Sequence, residues 1–149
     1  MELDKFDLVI IETLKQNARV TLTDLATVVG LSKTPCQTRM KRLESRGVIK
    51  GYTVLVDHAK LGSNHIAFAQ VTLGDTRSSA LSAFNEAVRK IPAVEQCHMT
   101  AGTFDYMLKV RTRNMEEYRT VLGESISSLP HVIQTSTFVV MESVKETGT

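Results

Sequence analysis

The hydrophobic positions in the first third of the chain recur at the spacing of an α-helix. They form two apolar stripes, Phe6, Ile10 and Leu14, then Leu22, Leu25, Ala26 and Val29. Side chains three, four and seven residues apart lie on one face of a helix, so each stripe predicts a helix with one buried face. Asp4 and Thr21 are suitable N-cap residues for these two helices. Gly30 should end the second helix, because glycine readily takes the left-handed conformation after a last helical turn.

The segment after Gly30 predicts a third helix, whose two faces differ sharply. Ser32 is its expected N-cap, and Pro35 falls in the first turn, where a missing N–H costs nothing. Cys36 shares a narrow sector of the helix with two apolar residues, Met40 and Leu43. We therefore expect Cys36 to be a packed core residue rather than a redox group or a metal ligand.

The opposite sector of the third helix is polar and basic. With the start of the helix it comprises Lys33, Thr34, Gln37, Thr38, Lys41, Arg42 and Ser45. A short helix, a glycine turn and a basic amphipathic helix make the helix-turn-helix pattern, whose second helix enters the major groove of DNA. We predict that these residues bind double-stranded DNA, with Gln37 and Thr38 near the bases and Lys41 and Arg42 as cationic contacts. The alternative is a three-helix module that binds protein.

The remaining two-thirds contain a weak internal repeat of strand, helix and strand. The sequence "IPAVEQ" at 91–96 matches "LPHVIQ" at 129–134. Each copy follows a strand-like segment, Ile66–Leu73 or Tyr106–Thr112, and an amphipathic helix. The apolar positions of these helices are Leu81, Phe84, Val88 and Ile91, then Met115, Tyr118, Leu122 and Leu129. Two β-α-β units predict the ferredoxin-like plan, an antiparallel sheet with both helices on one face. The fold class is therefore α+β.

The first strand of this sheet is apolar on both faces. Apart from Gln70 and Thr72, every residue of Ile66–Leu73 is apolar or an alanine. One face packs on the two helices, and the other face should also be covered. Because we find no further segment of the chain to cover it, we expect a second copy of the protein, and hence a homodimer.

Composition and charge add the cellular setting. The chain has 149 residues, of which 42% are hydrophobic and 23% charged, and it contains no long apolar run. The acidic N-terminus lacks a signal-peptide pattern, so the expected location is cytoplasmic and associated with the nucleoid. Residues 1–58 carry nine Lys/Arg against seven Asp/Glu, whereas residues 59–149 carry nine against nine. The basic excess thus lies with the helix-turn-helix pattern. The two cysteines are too few for a disulfide framework, and we expect no metal and no cofactor.

The turn between the two inner strands, "TAGTFDY" at 100–106, is a second candidate site. An ordinary hairpin turn is one interpretation. In the other, backbone N–H groups around Gly102 hold a carboxylate and the Asp105 carboxylate holds an ammonium, which together suit a free amino acid. Gly102 should then have little room for a side chain. The predicted contacts from the start of the turn and from the last strand are Thr100, Thr135, Ser136 and Thr137.

Over its whole length the chain resembles the leucine-responsive regulator/asparagine regulator (Lrp/AsnC) family of transcription factors. The similarity rests on "DLATVVGLSKTPCQTRMKRLESRGVIKGY", "GTFDYMLKVRTRNMEEYRTVL" and "LPHVIQTSTFVV". It implies a winged helix-turn-helix domain over 1–50, a linker strand over 51–64, and a ferredoxin-like effector-binding and oligomerisation domain over 65–149. It also implies dimers that assemble into tetramers or octamers, with amino-acid effectors held between dimers. The family's ligand loop falls on Gly102, Thr103, Phe104, Asp105 and Tyr106.

These observations predict a sequence-specific transcriptional regulator of amino-acid metabolism, whose DNA binding an amino acid modulates. An alternative is an architectural protein that bridges DNA with little sequence preference and without an effector. An enzyme is a third possibility, but we find no nucleophile–base pair and no phosphate-binding loop. Cys97 and His98 are neighbours on a strand, so their side chains point to opposite faces and do not form a pair.

Overall fold

The computed structural model describes residues 2–147 and divides the chain into two compact units, residues 1–54 and residues 55–149. The first unit contains the helices α1 (Lys5–Gln16), α2 (Leu22–Val29) and α3 (Lys33–Ser45). The second contains β1 (His65–Leu73), α4 (Ser78–Val88), β2 (Val94–Met99), β3 (Tyr106–Thr112), α5 (Met115–Thr120) with a π-helical continuation (Val121–Ile126), and β4 (Val132–Val139). Among the described residues, no helix is long and apolar enough to cross a membrane.

The helices of the first unit begin and end where their capping residues predict. Asp4 and Asp7 form a reciprocal capping box at the start of α1. The Thr21 hydroxyl accepts a hydrogen bond from the backbone of α2, and Gly30 ends that helix with a φ of +79°. Ser32 precedes α3 but makes no capping hydrogen bond through its side chain. The apolar stripes of all three helices meet in one core, which includes Ile10, Leu14, Leu25, Ala26, Val29, Cys36 and Leu43.

The second unit has the predicted ferredoxin-like architecture. Its four strands lie in the order β2-β3-β1-β4, and every neighbouring pair is antiparallel. One face of the sheet packs on the helices, and the core is centred there. The ring centres of Phe84 in α4 and Tyr106 in β3 lie 4.2 Å apart, and Tyr118 of α5 is fully buried. The predicted α+β class is confirmed.

The last helix differs from the predicted stripe of Met115, Tyr118, Leu122 and Leu129. After Thr120 the helix widens into the π-helical segment. Met115, in the first turn of α5, is exposed, whereas Ile126, which is not in the predicted stripe, is fully buried.

The prediction of a linker strand over 51–64 is wrong for the single chain. Residues 51–57 form no strand, and a turn follows at 58–62. Alternating apolar residues favour a strand, but a strand requires a neighbour that bonds its backbone groups. No strand among residues 2–147 pairs with this segment, and the apolar side chains of Val54 and Leu55 remain 72% and 74% exposed.

The expectation that nothing in the chain covers the second face of the sheet is also wrong. The segment that follows β4 lies across one corner of it. Glu146 forms ion pairs there with Lys109 and Arg111 of β3, which also pair with Glu95. Hydrogen bonding to Lys109 lowers the pKa of Glu146. The cover is partial, because Phe138 on the same face stays 54% exposed.

Cys36 is completely buried, as predicted, and burial raises the pKa of its thiol. Because the thiolate is the reactive form, Cys36 should react slowly with a thiol reagent in the native protein. Cys36→Ser places a hydroxyl in the apolar core and should lower the free energy of unfolding by about 1–3 kcal/mol. Chemical denaturation measures this, and Cys97→Ser at the half-buried second cysteine is the matched control. Labelling of Cys36 faster than Cys97 would contradict the packed role.

Candidate nucleic-acid interface and effector site

The polar face of α3 is directed to solvent. The seven residues predicted there are all exposed: Lys33, Thr34, Gln37, Thr38, Lys41, Arg42 and Ser45. Cys36 and Leu43 on the opposite face are completely buried against α1 and α2. The structure thus brings the predicted DNA-binding residues together on one surface, and their contact with DNA stays a prediction.

The exposed residues of this surface differ in how free their polar atoms are. The Thr38 hydroxyl donates to the backbone carbonyl of Thr34 at 3.0 Å, and the Ser45 hydroxyl donates to that of Arg42 at 3.1 Å. Lys33 and Lys41 form no ion pair with any residue between 2 and 147. The two lysines are therefore the available cations of the face.

Arg42, predicted as a cationic contact to DNA, is already paired with a carboxylate of its own chain. Its Nη2 atom donates to both carboxylate oxygens of Asp7 in α1, at 2.9 Å and 2.7 Å. The Asp7 side chain is completely buried, whereas that of Arg42 is 42% exposed. The guanidinium is thus held against a buried carboxylate at the edge of the polar face. Sequence spacing placed Arg42 on the correct side of the helix but gave no information on its partner in α1.

Arg39 was not predicted to have a role, and it is the second cation of the same cluster. It donates to Asp4 at 2.7 Å and to Asp7 at 2.9 Å, and its guanidinium lies 5.2 Å from the centre of the Phe6 ring. The hydrogen bonds to Asp4 and Asp7 raise the pKa of Arg39, and the bond to Asp4 has the larger effect. The pKa of Asp4 is lowered, chiefly by the hydrogen bond that its carboxylate accepts from the backbone N–H of Asp7. The two acids are three residues apart in α1 and its cap, and the two arginines are three residues apart in α3. This matching spacing is the sequence feature from which the cluster could have been predicted.

The turn between β2 and β3 is tied to the end of β1 by Asp105. The Asp105 N–H donates to the carbonyl of Val71 at 2.9 Å, and its Oδ2 atom accepts from the Leu73 N–H at 2.7 Å. The Thr100 N–H donates to the carbonyl of Asp105 at 2.8 Å and closes the turn. Asp105 thus holds the turn in place, and its Oδ1 atom accepts no hydrogen bond from the described residues.

Gly102 has more space than predicted. Its φ is +157°, and a Cβ built on it would meet no atom within 4 Å. Gly102 and Thr103 are both exposed. The expectation of little room is therefore wrong for the single chain, although the positive φ still disfavours a side chain at Gly102.

The remaining predicted effector residues lie on two faces of the sheet. Thr137 faces the helices, where its hydroxyl lies 2.6 Å from that of Tyr118. Ser136 is opposite Gln70 and points to the other face, since neighbouring residues on a strand alternate. Tyr106 is buried, and its hydroxyl donates to Asn85 at 2.7 Å. These side chains therefore do not surround a single ligand together with the turn. Only Thr135 is aligned with Tyr106 across the sheet: Val71 of β1 lies between them, with Tyr106 on β3 and Thr135 on β4.

Two family models match the chain, one on each unit. The model described as "Winged helix-turn-helix DNA-binding" matches residues 3–50, and that described as "Lrp/AsnC ligand binding domain" matches residues 66–149. The chain belongs to the Lrp/AsnC family. The resemblance inferred from the sequence is thereby confirmed. Lrp/AsnC proteins are transcriptional regulators, and neither of the two matched models describes an enzymatic domain.

Individual relatives agree with this assignment over the whole length. The chain is 60% identical to the proline dehydrogenase transcriptional activator of Rhizobium radiobacter, over 99% of this chain and 94% of the relative. It is 40% identical to the leucine-responsive regulatory protein of Escherichia coli, over 99% and 90%. A Neisseria meningitidis transcriptional regulator, solved as a complex with L-Met, superposes with a TM-score of 0.89 at 29% identity, over 98% and 94%.

The hydrogen bond from Leu73 predicts a structural cost for losing the Asp105 carboxylate. Asp105→Ala leaves a nearly buried N–H without its acceptor and should lower the free energy of unfolding by about 1–3 kcal/mol. Asp105→Asn keeps an acceptor oxygen and should lose less. Chemical denaturation without any amino acid measures both, and Thr103→Ala at the exposed tip is the control. Equal stability of Asp105→Ala and wild type would show that the bond does not stabilise the turn.

Proposed function

We propose that this Lrp/AsnC protein regulates transcription by placing α3 in the major groove of DNA. The proposal rests on the two different faces of α3. Cys36 and Leu43 are buried on one face, and the opposite face carries Lys33 and Lys41, which form no ion pair with a described residue. An α-helix has about the width of the major groove, so its exposed face meets base edges and its sides meet phosphates. Gln37 lies within this face and is suited to recognise adenine.

The 60% identical relative supports a more specific target. That protein is named as an activator of proline dehydrogenase. We propose that this chain likewise acts on a gene of proline oxidation, and that proline is the first effector to test. The amino acid would lie at the turn between β2 and β3, with its ammonium at the free Oδ1 atom of Asp105 and its carboxylate at backbone N–H groups of the tip.

We further propose that the protein acts as a homodimer that assembles into tetramers or octamers in the cytoplasm. Apolar side chains that the single chain leaves exposed support this assembly. Val54 and Leu55 lie in the linker, and Phe138 lies on the open face of the sheet. Unpaired backbone groups and apolar side chains in one segment are suited to pairing with a second copy. The exposed tip of the turn would gain its missing wall from the same assembly.

Lys41 and Gln37 should contribute to DNA binding in different ways. Lys41→Ala should weaken binding to all sequences alike and make the dependence of log K on log salt shallower by about 1 for each helix that binds. Gln37→Ala should change the preference at one or two base pairs, by about 1–3 kcal/mol each. Fluorescence anisotropy at several salt concentrations, with a promoter fragment and a scrambled duplex, separates the effects. If wild type bound both duplexes equally, an architectural role would replace the sequence-specific one.

Proline should bind the wild-type protein and raise its melting temperature, since a ligand of the folded state stabilises it. Asp105→Asn should lose this response, because an amide does not attract an ammonium as a carboxylate does. Calorimetry and thermal shift with a panel of common amino acids measure the response, and Thr103→Ala is the control at the same turn. If Asp105→Asn bound proline as tightly as wild type, the proposed binding site at Asp105 would be wrong. If wild type bound none of the amino acids in the panel, the turn would have only a structural role.

A further inference from the structure

Asp7 is a buried acid in a helix that is not part of the proposed DNA surface. Its two carboxylate oxygens accept hydrogen bonds from Arg42 at 2.7 Å and 2.9 Å and from Arg39 at 2.9 Å. One of them also accepts from the backbone N–H of Asp4 at 3.2 Å. A buried carboxylate is costly unless it is paired, so this cluster fixes α1 to α3. It also neutralises a cation that would otherwise lie at the edge of the basic face.

We propose that Asp7 is a positioning residue that sets how many cations α3 presents to DNA. It holds Arg42 away from phosphate, so that Lys33 and Lys41 bind the DNA backbone and Arg42 does not. The inference rests on the proposed DNA-binding role of α3. It adds that an acid in α1 limits the sequence-independent part of the affinity.

The geometry gives Asp7 control over Arg42 in particular. Every hydrogen bond of the Arg42 guanidinium to a described residue goes to Asp7. Arg39, in contrast, also donates to Asp4 and lies over the Phe6 ring, and its side chain is only 23% exposed. Removing the Asp7 charge therefore releases Arg42 and leaves Arg39 in place.

A released Arg42 is placed to reach phosphate. It directly follows Lys41 on the helix, and its side chain is already 42% exposed. The helix nearly fills the major groove, so side chains at the edge of its exposed face lie beside the DNA backbone. Each additional phosphate contact releases counterions and steepens the dependence of log K on log salt by about 0.9.

The test is the salt dependence of binding to a scrambled duplex by the full-length protein. Asp7→Asn should bind more tightly than wild type at low salt, with a slope steeper by about 0.9 for each bound helix. Between about 50 and 200 mM salt this adds a further loss of affinity of about 3–4-fold for each helix. If Asp7 only stabilised the fold, Asp7→Asn would instead weaken binding without steepening the slope.

Three further variants keep the proposal open to refutation. Arg42→Gln should retain the wild-type slope, and Asp7→Asn combined with Arg42→Gln should return to it. Lys41→Gln is the positive control, with a shallower slope. If Asp7→Asn does not fold, as circular dichroism would reveal, Arg42→Gln still tests the premise that Arg42 does not bind phosphate in the wild-type protein.

The possible failures are distinguishable. A shallower slope for Arg42→Gln would overturn the inference while leaving α3 as the DNA-binding helix. An unchanged slope for Lys41→Gln, or no DNA binding by wild type, would instead refute the proposed function, and the inference with it.

Discussion

The DNA-binding unit depends on the burial of one face of a helix that is otherwise strongly basic. Cys36 and Leu43 insert into the core formed by α1 and α2, and this contact fixes the direction of the opposite face. Because α3 contains few apolar residues, the apolar contact is narrow, and the ion cluster around Asp7 extends it along one side. The same cluster determines which basic side chains stay free. Stability and recognition are therefore set by a single packing arrangement rather than by separate parts of the unit.

The ligand-binding unit shows a comparable double use of a polar residue. Asp105 completes the hydrogen bonding at the end of β1 and at the same time presents one carboxylate oxygen beside an exposed turn. A residue with both roles makes mutational results ambiguous, since loss of ligand binding and loss of the turn arise together. Exchanging the carboxylate for an amide separates the two roles, because it changes the charge more than the hydrogen bonding.

Much of the fold could be predicted from hydrophobic periodicity and capping residues. The three helices before residue 46, the end of α2 at Gly30 and the strands β1 and β3 have clear local patterns, whereas β2 and β4 followed from the weak internal repeat. What could not be predicted depends on contacts between distant segments. The pairing of Arg42 with Asp7 joins residues 35 positions apart, and the C-terminal segment meets β3 through Glu146. The π-helical turns change the spacing inside a helix, which a fixed period cannot represent.

We propose that an amino acid controls DNA binding through the assembly of copies. A ligand shifts an equilibrium only as far as its affinity differs between two states. The tip of the turn has no wall in the single chain, because Gly102 and Thr103 are exposed and an added Cβ at Gly102 meets nothing. A site that is completed by another copy binds its ligand more tightly in one assembly than in another. We therefore expect the effector to change the arrangement of copies, and hence the spacing of their α3 helices on DNA, rather than the conformation of α3 itself.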